Sequence, residues 1–216
     1  MKLLTFDQSK CNNCGACTIV CSLVKKDAFV PGEARIRIET AGDEQPLRAV
    51  VCQHCEDPIC VTACMRGIIH KDPDTGVVLR KTEDCFRCAA CHVMCPEGAA
   101  VLDHELQAFV TCDLCGGRPV CAGVCPTGAL RYEDVHEMSA AMRTQYARQA
   151  LFSPGLLVKK GGVMKQRSFD MSPEEERIQW EKVSAAFAEL SGRTVGPDTL
   201  ADWSAALRER QKGEGE

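Results

Sequence analysis

Sixteen cysteines stand in four groups of four, at 11, 14, 17 and 21, at 52, 55, 60 and 64, at 85, 88, 91 and 95, and at 112, 115, 121 and 125, with none left over. Thiolates at C-x2-C spacing hold either zinc or iron–sulfur clusters, and the spacing decides between them. Structural zinc takes two well-separated pairs. Cys11, Cys14 and Cys17 lie within seven residues, which crowds one tetrahedral ion but suits three corners of an Fe4S4 cube. The same holds for Cys85, Cys88 and Cys91.

In the two-cluster C-x2-C-x2-C-x3-C template, the fourth cysteine turns away to ligate the neighbouring cluster. Groups one and three keep that spacing, and group three adds Pro96 after its last cysteine. Groups two (CQHCEDPICVTAC) and four (CDLCGGRPVCAGVCP) place four and five residues between their second and third cysteines, yet keep the first pair and the final spacing. A longer external loop costs little closure entropy and leaves the sulfur atoms where they were. Both are therefore variants that hold the same cofactor. CPTGAL after group four repeats the C-P-x-G-A form of CPEGAA after group three.

With every corner capped by thiolate, no iron remains open to a substrate, and the clusters carry single electrons at potentials anywhere between roughly −700 and +450 mV. No catalytic constellation competes. The five histidines, at 54, 70, 92, 104 and 136, show no ligand spacing. His54 and His92 fall inside cysteine groups, where they are candidates to tune a potential or couple it to pH; the blander alternative is a supporting or surface role. GGRP and KKGG lie in no strand–turn–helix context, so any flavin or nicotinamide belongs to another subunit. A net charge of −4 excludes an electrostatic footprint for nucleic acid or anionic lipid. The first residues, MKLLTFDQSK, lack a signal-peptide apolar run, and no stretch is long and apolar enough for a membrane span, so the expectation is a soluble, cytoplasmic protein without disulfides.

The cysteine groups need short elements to position them. LLTF precedes the first group, ARIRIET and LRAVV the second, GIIHKDPDTGVVLRK the third with a DPDTG turn at its centre, and AAVLDHELQAFV the fourth; ALRYED follows it. These read as strands and hairpins linking one group to the next. From about Tyr132 cysteine vanishes and helical periodicity begins, weakly at Val135, Met138 and Met142. Ser172 with Pro173 and Glu175 predicts a helix start, followed by Trp180, Val183, Phe187 and Leu190 on one stripe; Leu200, Trp203 and Leu207 predict a second, short helix. Such a stripe packs either on its own protein or on a partner, where tryptophan anchors are enriched.

Over residues 11–126 the four motifs resemble the polyferredoxin-type subunits that include the four-cluster β subunits of the dimethyl sulfoxide reductase family. The resemblance implies an α+β fold of two ferredoxin-like modules, nested, with a helical C-terminal extension. The outer module takes about 1–30 plus 97–131, the inner about 48–96, and the extension 132–216. It implies four 4Fe-4S clusters: Cys11, Cys14 and Cys17 with Cys125; Cys112, Cys115 and Cys121 with Cys21; Cys52, Cys55 and Cys60 with Cys95; Cys85, Cys88 and Cys91 with Cys64. Spacing alone does not separate nesting from a tandem pairing of groups one with two and three with four. Cys64 departs from the pattern, being followed by Met65, Arg66 and Gly67 instead of proline.

The implied function is electron transfer, without catalysis of its own, between a catalytic oxidoreductase subunit and a second redox partner such as a flavin subunit or ferredoxin. A tungsten or molybdenum pterin enzyme of the aldehyde oxidoreductase type is the favoured catalytic partner. A free shuttle, a hydrogenase- or carbon monoxide dehydrogenase-linked ferredoxin, and a zinc-bound structural module are the alternatives. The extension, 132–216, is expected to dock on a partner or on a second copy.

Overall fold

The computed structural model describes residues 2–39, 47–134 and 173–192. Eight strands pair into four small antiparallel sheets among these residues. Strand β1 (Lys2–Phe6) is followed by α1 (Ala16–Lys26), then β2 (Ile36–Glu39) and β3 (Arg48–Val51), α2 (Ile59–Ala63), and the hairpin β4 (Ile69–Lys71) with β5 (Val78–Arg80). Then come α3 (Ala90–Val93), the hairpin β6 (Val101–Asp103) with β7 (Ala108–Val110), α4 (Val120–Gly123) and β8 (Leu130–Asp134). The long α5 (Pro173–Ser191) closes the described part. This is the mixed helix and small-sheet composition of an α+β protein.

Two hairpins follow from local turn chemistry. In β4–β5 the Asp72 carboxylate accepts from the backbone N–H of Asp74 (2.8 Å) and Thr75 (3.2 Å), and Gly76, at φ 73°, supplies the left-handed residue that closes the turn. Asp103 does the same for β6–β7, accepting from Glu105 (3.1 Å) and Leu106 (2.9 Å). Strand β2 pairs with β3, from Ile36 opposite Val51 to Glu39 opposite Arg48.

The remaining sheet is not local. β1 pairs with β8, from Lys2 opposite Asp134 to Phe6 opposite Leu130, so the two segments that bracket all four cysteine groups lie side by side. Thr5 Oγ1 donates to Glu133 Oε1 across this pair at 2.7 Å. The sheet buries Leu4, Phe6 and Leu130 in the main apolar cluster with Ile19 and Val20 of α1 and Val120 at the start of α4. A smaller cluster of Ile68, Ile69, Val78, Cys91 and Ala100 lies under the β4–β5 hairpin.

Helix α5 begins at Pro173, where the capping-box reading expects it. Val183 and Phe187 are 4% and 3% exposed and join the main cluster, packing on α1 and α4. Each such burial contributes about 1.5–3 kcal/mol. The Trp180 and Leu190 side chains, the Val135, Met138 and Met142 stripe, and the helix expected around Trp203 lie outside what the structure describes.

Candidate metal centres

None of the sixteen cysteines forms a disulfide. Each first pair is wrapped by the same turn. The residue before the second cysteine is left-handed in every group: Asn13 (φ 56°), His54 (47°), Arg87 (56°) and Leu114 (54°). That conformation is uncommon for side-chain-bearing residues, and its fourfold recurrence marks a shared demand on the backbone. It aims an amide at the first thiol: Asn13 N–H donates to Cys11 Sγ at 3.4 Å, and Leu114 N–H to Cys112 Sγ at 3.4 Å. Groups two and four thus keep the turn despite their longer loops.

The last cysteines share a turn as well. Gly67, Gly98 and Gly128, three residues after Cys64, Cys95 and Cys125, are left-handed and donate back to those cysteines' carbonyls at 2.9, 3.0 and 3.2 Å. Cys64 lacks the following proline but not the turn, because Gly67 supplies the left-handed corner.

The fold brings cysteines of different groups near one another. Burial raises the pKa of Cys11 and Cys14, the latter to about 11, and both feel Cys125 as a like charge. Cys17 is raised chiefly by burial and then by Cys14, Cys11 and Cys125. Cys21, Cys112, Cys115 and Cys121 line one void, and Cys64, Cys85, Cys88 and Cys91 another. Cys52, pushed up to about 12 by burial, lies within electrostatic reach of Cys60 and Cys95, and Cys55 and Cys60 likewise sense Cys95. Buried thiols with raised pKa values resist ionising alone and need metal cations to become thiolates, which is the donor chemistry an iron–sulfur cluster takes.

Electrostatic influence also runs between thiols of different groups. Cys121 feels Cys17, and Cys112 feels Cys52. Arg80 stabilises the anionic forms of Cys52, Cys60 and Cys91, while its Nε donates to Thr111 Oγ1 at 3.0 Å. One guanidinium therefore acts on the second and third cysteine groups.

Fixed charges surround the second quartet. The backbone N–H of Arg35 donates to Cys21 Sγ at 3.3 Å, while its guanidinium and the Lys25 ammonium each lie 2.8 Å from an Asp113 carboxylate oxygen. Burial works against ionisation of Asp113, yet the hydrogen bond and charge of Lys25, with Arg35, hold its carboxyl below the usual range.

The two histidines among the cysteines differ. His92 is exposed and donates Nδ1–H to the Ala100 carbonyl at 2.7 Å. His54 is 2% exposed, and burial holds its imidazole down to about 4. Its only signal in the sequence is its place between two ligand cysteines.

Residues 46–135 match the family described as a 4Fe-4S dicluster domain. Over 168 residues the protein is 31% identical to the B subunit of anaerobic dimethyl sulfoxide reductase from Haemophilus influenzae, covering 69% of this chain and 80% of that one. It is 30% identical to the thiosulfate reductase electron transfer subunit of Salmonella typhi, covering 62% and 77%. It is 34% identical to the NADH-dependent phenylglyoxylate dehydrogenase subunit beta of Aromatoleum evansii over 71% of this chain, but spans only 34% of that relative's length. The active site complex BamBC of benzoyl coenzyme A reductase aligns over 71% of this chain and 90% of that chain, with TM-score 0.36 and 20% identity.

Proposed function

The chain belongs to the family of iron–sulfur electron-transfer subunits that includes the B subunit of anaerobic dimethyl sulfoxide reductase, and from that membership we propose that it is a linear four-cluster relay inside an oxidoreductase complex. It holds four 4Fe-4S clusters, which supply one-electron transfer, and it is not a catalyst by itself. The proposal concerns which thiols hold which cluster, the order of the clusters and the partners.

The clusters are held in nested fashion: Cys11, Cys14, Cys17 and Cys125 at one end; then Cys21, Cys112, Cys115 and Cys121; then Cys52, Cys55, Cys60 and Cys95; and Cys64, Cys85, Cys88 and Cys91 at the other end. The observation that carries this reading is the grouping of the thiols, where Cys125 couples to Cys11 and Cys14 and Cys95 to Cys52. The order is supported by the electrostatic influence of Cys17 on Cys121 and of Cys52 on Cys112, and by Arg80 acting on both Cys52 and Cys91. The chain divides accordingly into an outer module of about 1–30 plus 97–131, an inner module of about 48–96, and an extension over 132–216.

Along the relay this chain's own groups hold charge. Backbone amides at Asn13, Arg35, Leu114 and Leu130 point at ligand sulfurs, and Lys25, Arg35 and Arg80 offset the negative charge that accompanies each added electron. The end at Cys64, Cys85, Cys88 and Cys91 is the one a redox partner docks against, because Met65 (85% exposed) and Phe86 (66%) flank the same void and offer apolar contact area. The other end faces the catalytic subunit, a tungsten or molybdenum pterin enzyme by resemblance to the family. Helix α5 braces the outer module with Val183 and Phe187, and the remainder of the extension docks on a partner or second copy. No described helix is long and apolar enough to cross a membrane, and we place the work of the complex in the cytoplasm.

Metal analysis of the complex purified without oxygen tests this. About sixteen iron per chain is expected for four cubes, with tungsten or molybdenum co-purifying. Nickel would reassign the partner to a hydrogenase or carbon monoxide dehydrogenase, iron alone to a free shuttle, and zinc without iron would overturn the ligand reading.

A further inference from the structure

His54 sits in the turn between Cys52 and Cys55, and its left-handed backbone, φ 47°, sends the ring inward until only 2% of the residue is exposed. Its Nδ1 accepts the backbone N–H of Val78 at 3.0 Å. A nitrogen that accepts carries no proton, so the neutral ring bears its hydrogen on Nε2. That Nε2 is buried and has no hydrogen-bond partner among the described residues. A buried donor left unmade is costly, and native proteins avoid it unless something absent from the chain accepts the bond.

The surroundings say what accepts it. Cys52 Sγ lies 3.7 Å from Nδ1, so the ring is set against the third quartet. Asp113 is the acidic charge the ring senses most, and Asp113 lines the void of the second quartet beside Cys112. The carboxylate itself is committed: its oxygens take Lys25, Arg35 and the Cys115 amide. Cys112 is buried in the main apolar cluster and Cys52 packs against that same cluster, close enough for Cys112 to sense its charge. His54 therefore stands at the junction of the two middle clusters.

We propose that the Nε2–H of His54 donates a hydrogen bond to a cluster sulfur, sulfide or ligand thiolate, at the junction of the two middle clusters, making it a positioning residue for the potential of the relay's central step. This rests on the ligand reading above. A donor at sulfur favours the more negative, reduced cluster, so the bond raises the midpoint potential of the cluster that accepts it. The acceptor role of Nδ1 toward Val78 is structural and separable, because an asparagine carboxamide oxygen can replace Nδ1 while offering nothing at the place of Nε2.

The test uses the whole complex, purified without oxygen from cells fed isotopically labelled histidine, reduced stepwise and read by pulsed electron paramagnetic resonance. Coupling of a histidine nitrogen to one reduced cluster is expected in the native protein and lost in His54→Asn, with iron content unchanged. The same cluster should show a more negative midpoint in His54→Asn and return toward native in His54→Gln, whose amide nitrogen reaches the place of Nε2. Absence of the coupling in the native complex, or an unmoved midpoint in His54→Asn, overturns the inference. Iron short of four cubes in the native complex would instead sink the ligand reading beneath it.

Discussion

The Nζ of Lys26 lies 2.6 Å from Oδ1 of Asp103, with the two side chains 7% and 3% exposed. The pair joins the last turn of α1 to the β6–β7 turn across 77 residues of sequence. Glu33 and Glu105 extend it at 3.3 and 2.9 Å. Helix α1 thus clamps the returning chain through its own C-terminal cation, where the helix dipole favours positive charge.

Removing the ammonium while leaving Asp103 buried should be costly. Lys26→Met is expected to lower stability by about 3 kcal/mol, read by anaerobic thermal unfolding of the iron-loaded protein. Burial alone would raise the Asp103 pKa, but the Leu106 amide and Lys26 hold it below its ordinary value. A depressed carboxyl contributes stability that is present above its unfolded value and lost as pH falls through its folded one. The unfolded states titrate alike, so the gap between native and Lys26→Met proteins should be open at neutral pH, begin to narrow at the variant's higher Asp103 pKa, and close as pH falls through the native one. A gap already closed near neutrality would assign the effect to something other than this pair.

Nested ligation makes Cys21 and Cys112 partners on one cluster. Cys21→Ser and Cys112→Ser should each lose about four iron, and the double substitution should lose no more than either alone. Tandem pairing puts the two cysteines on different clusters and predicts a loss of about eight.

Met65 occupies the position filled by Pro96 and Pro126 in the equivalent turns. Cys64 before it is extended, at φ −82° and ψ 99°, a conformation compatible with a following proline. Met65→Pro should stabilise the protein by about 0.4–1 kcal/mol with full iron. A drop in iron content would mean that the turn after Cys64 differs from its two counterparts.

The charge of Arg80 acts on Cys52 and Cys60 of the second cysteine group and on Cys91 of the third. Arg80→Met should make two of the four midpoint potentials more negative, each by on the order of 60 mV, about 1.4 kcal/mol for one electron. Potentiometric titration resolves this. A shift confined to one cluster would show that the guanidinium is not shared.

What the sequence disclosed was whatever its local chemistry determines. The hairpins at Asp72–Gly76 and Asp103–Gln107 carry their own turn signals, and Pro173 announces its helix. The β1–β8 pairing carried none, because Phe6 and Leu130 are strand-like in isolation and nothing in either segment names its distant partner. The stripe on α5 is legible as apolar, but which surface receives Val183 and Phe187 depends on a cluster assembled from several other elements. The sequence does not choose between nested and tandem pairing for the same reason, since both use identical thiols. The shared left-handed turn at Asn13, His54, Arg87 and Leu114 escapes residue-type reasoning, for arginine and leucine seldom adopt it and only its recurrence beside the cysteines explains them.

The closure of β1 on β8 has a consequence for biogenesis. Lys2 is synthesised before all sixteen cysteines, and Asp134 only after them. The β4–β5 hairpin, by contrast, closes within a dozen residues. Under nested ligation, metal loading would have a built-in schedule, in which local thiols find one another during synthesis while Cys11 through Cys21 wait for the last group. A maturation factor that shields Cys11 through Cys21 over that interval would guard the segment exposed longest.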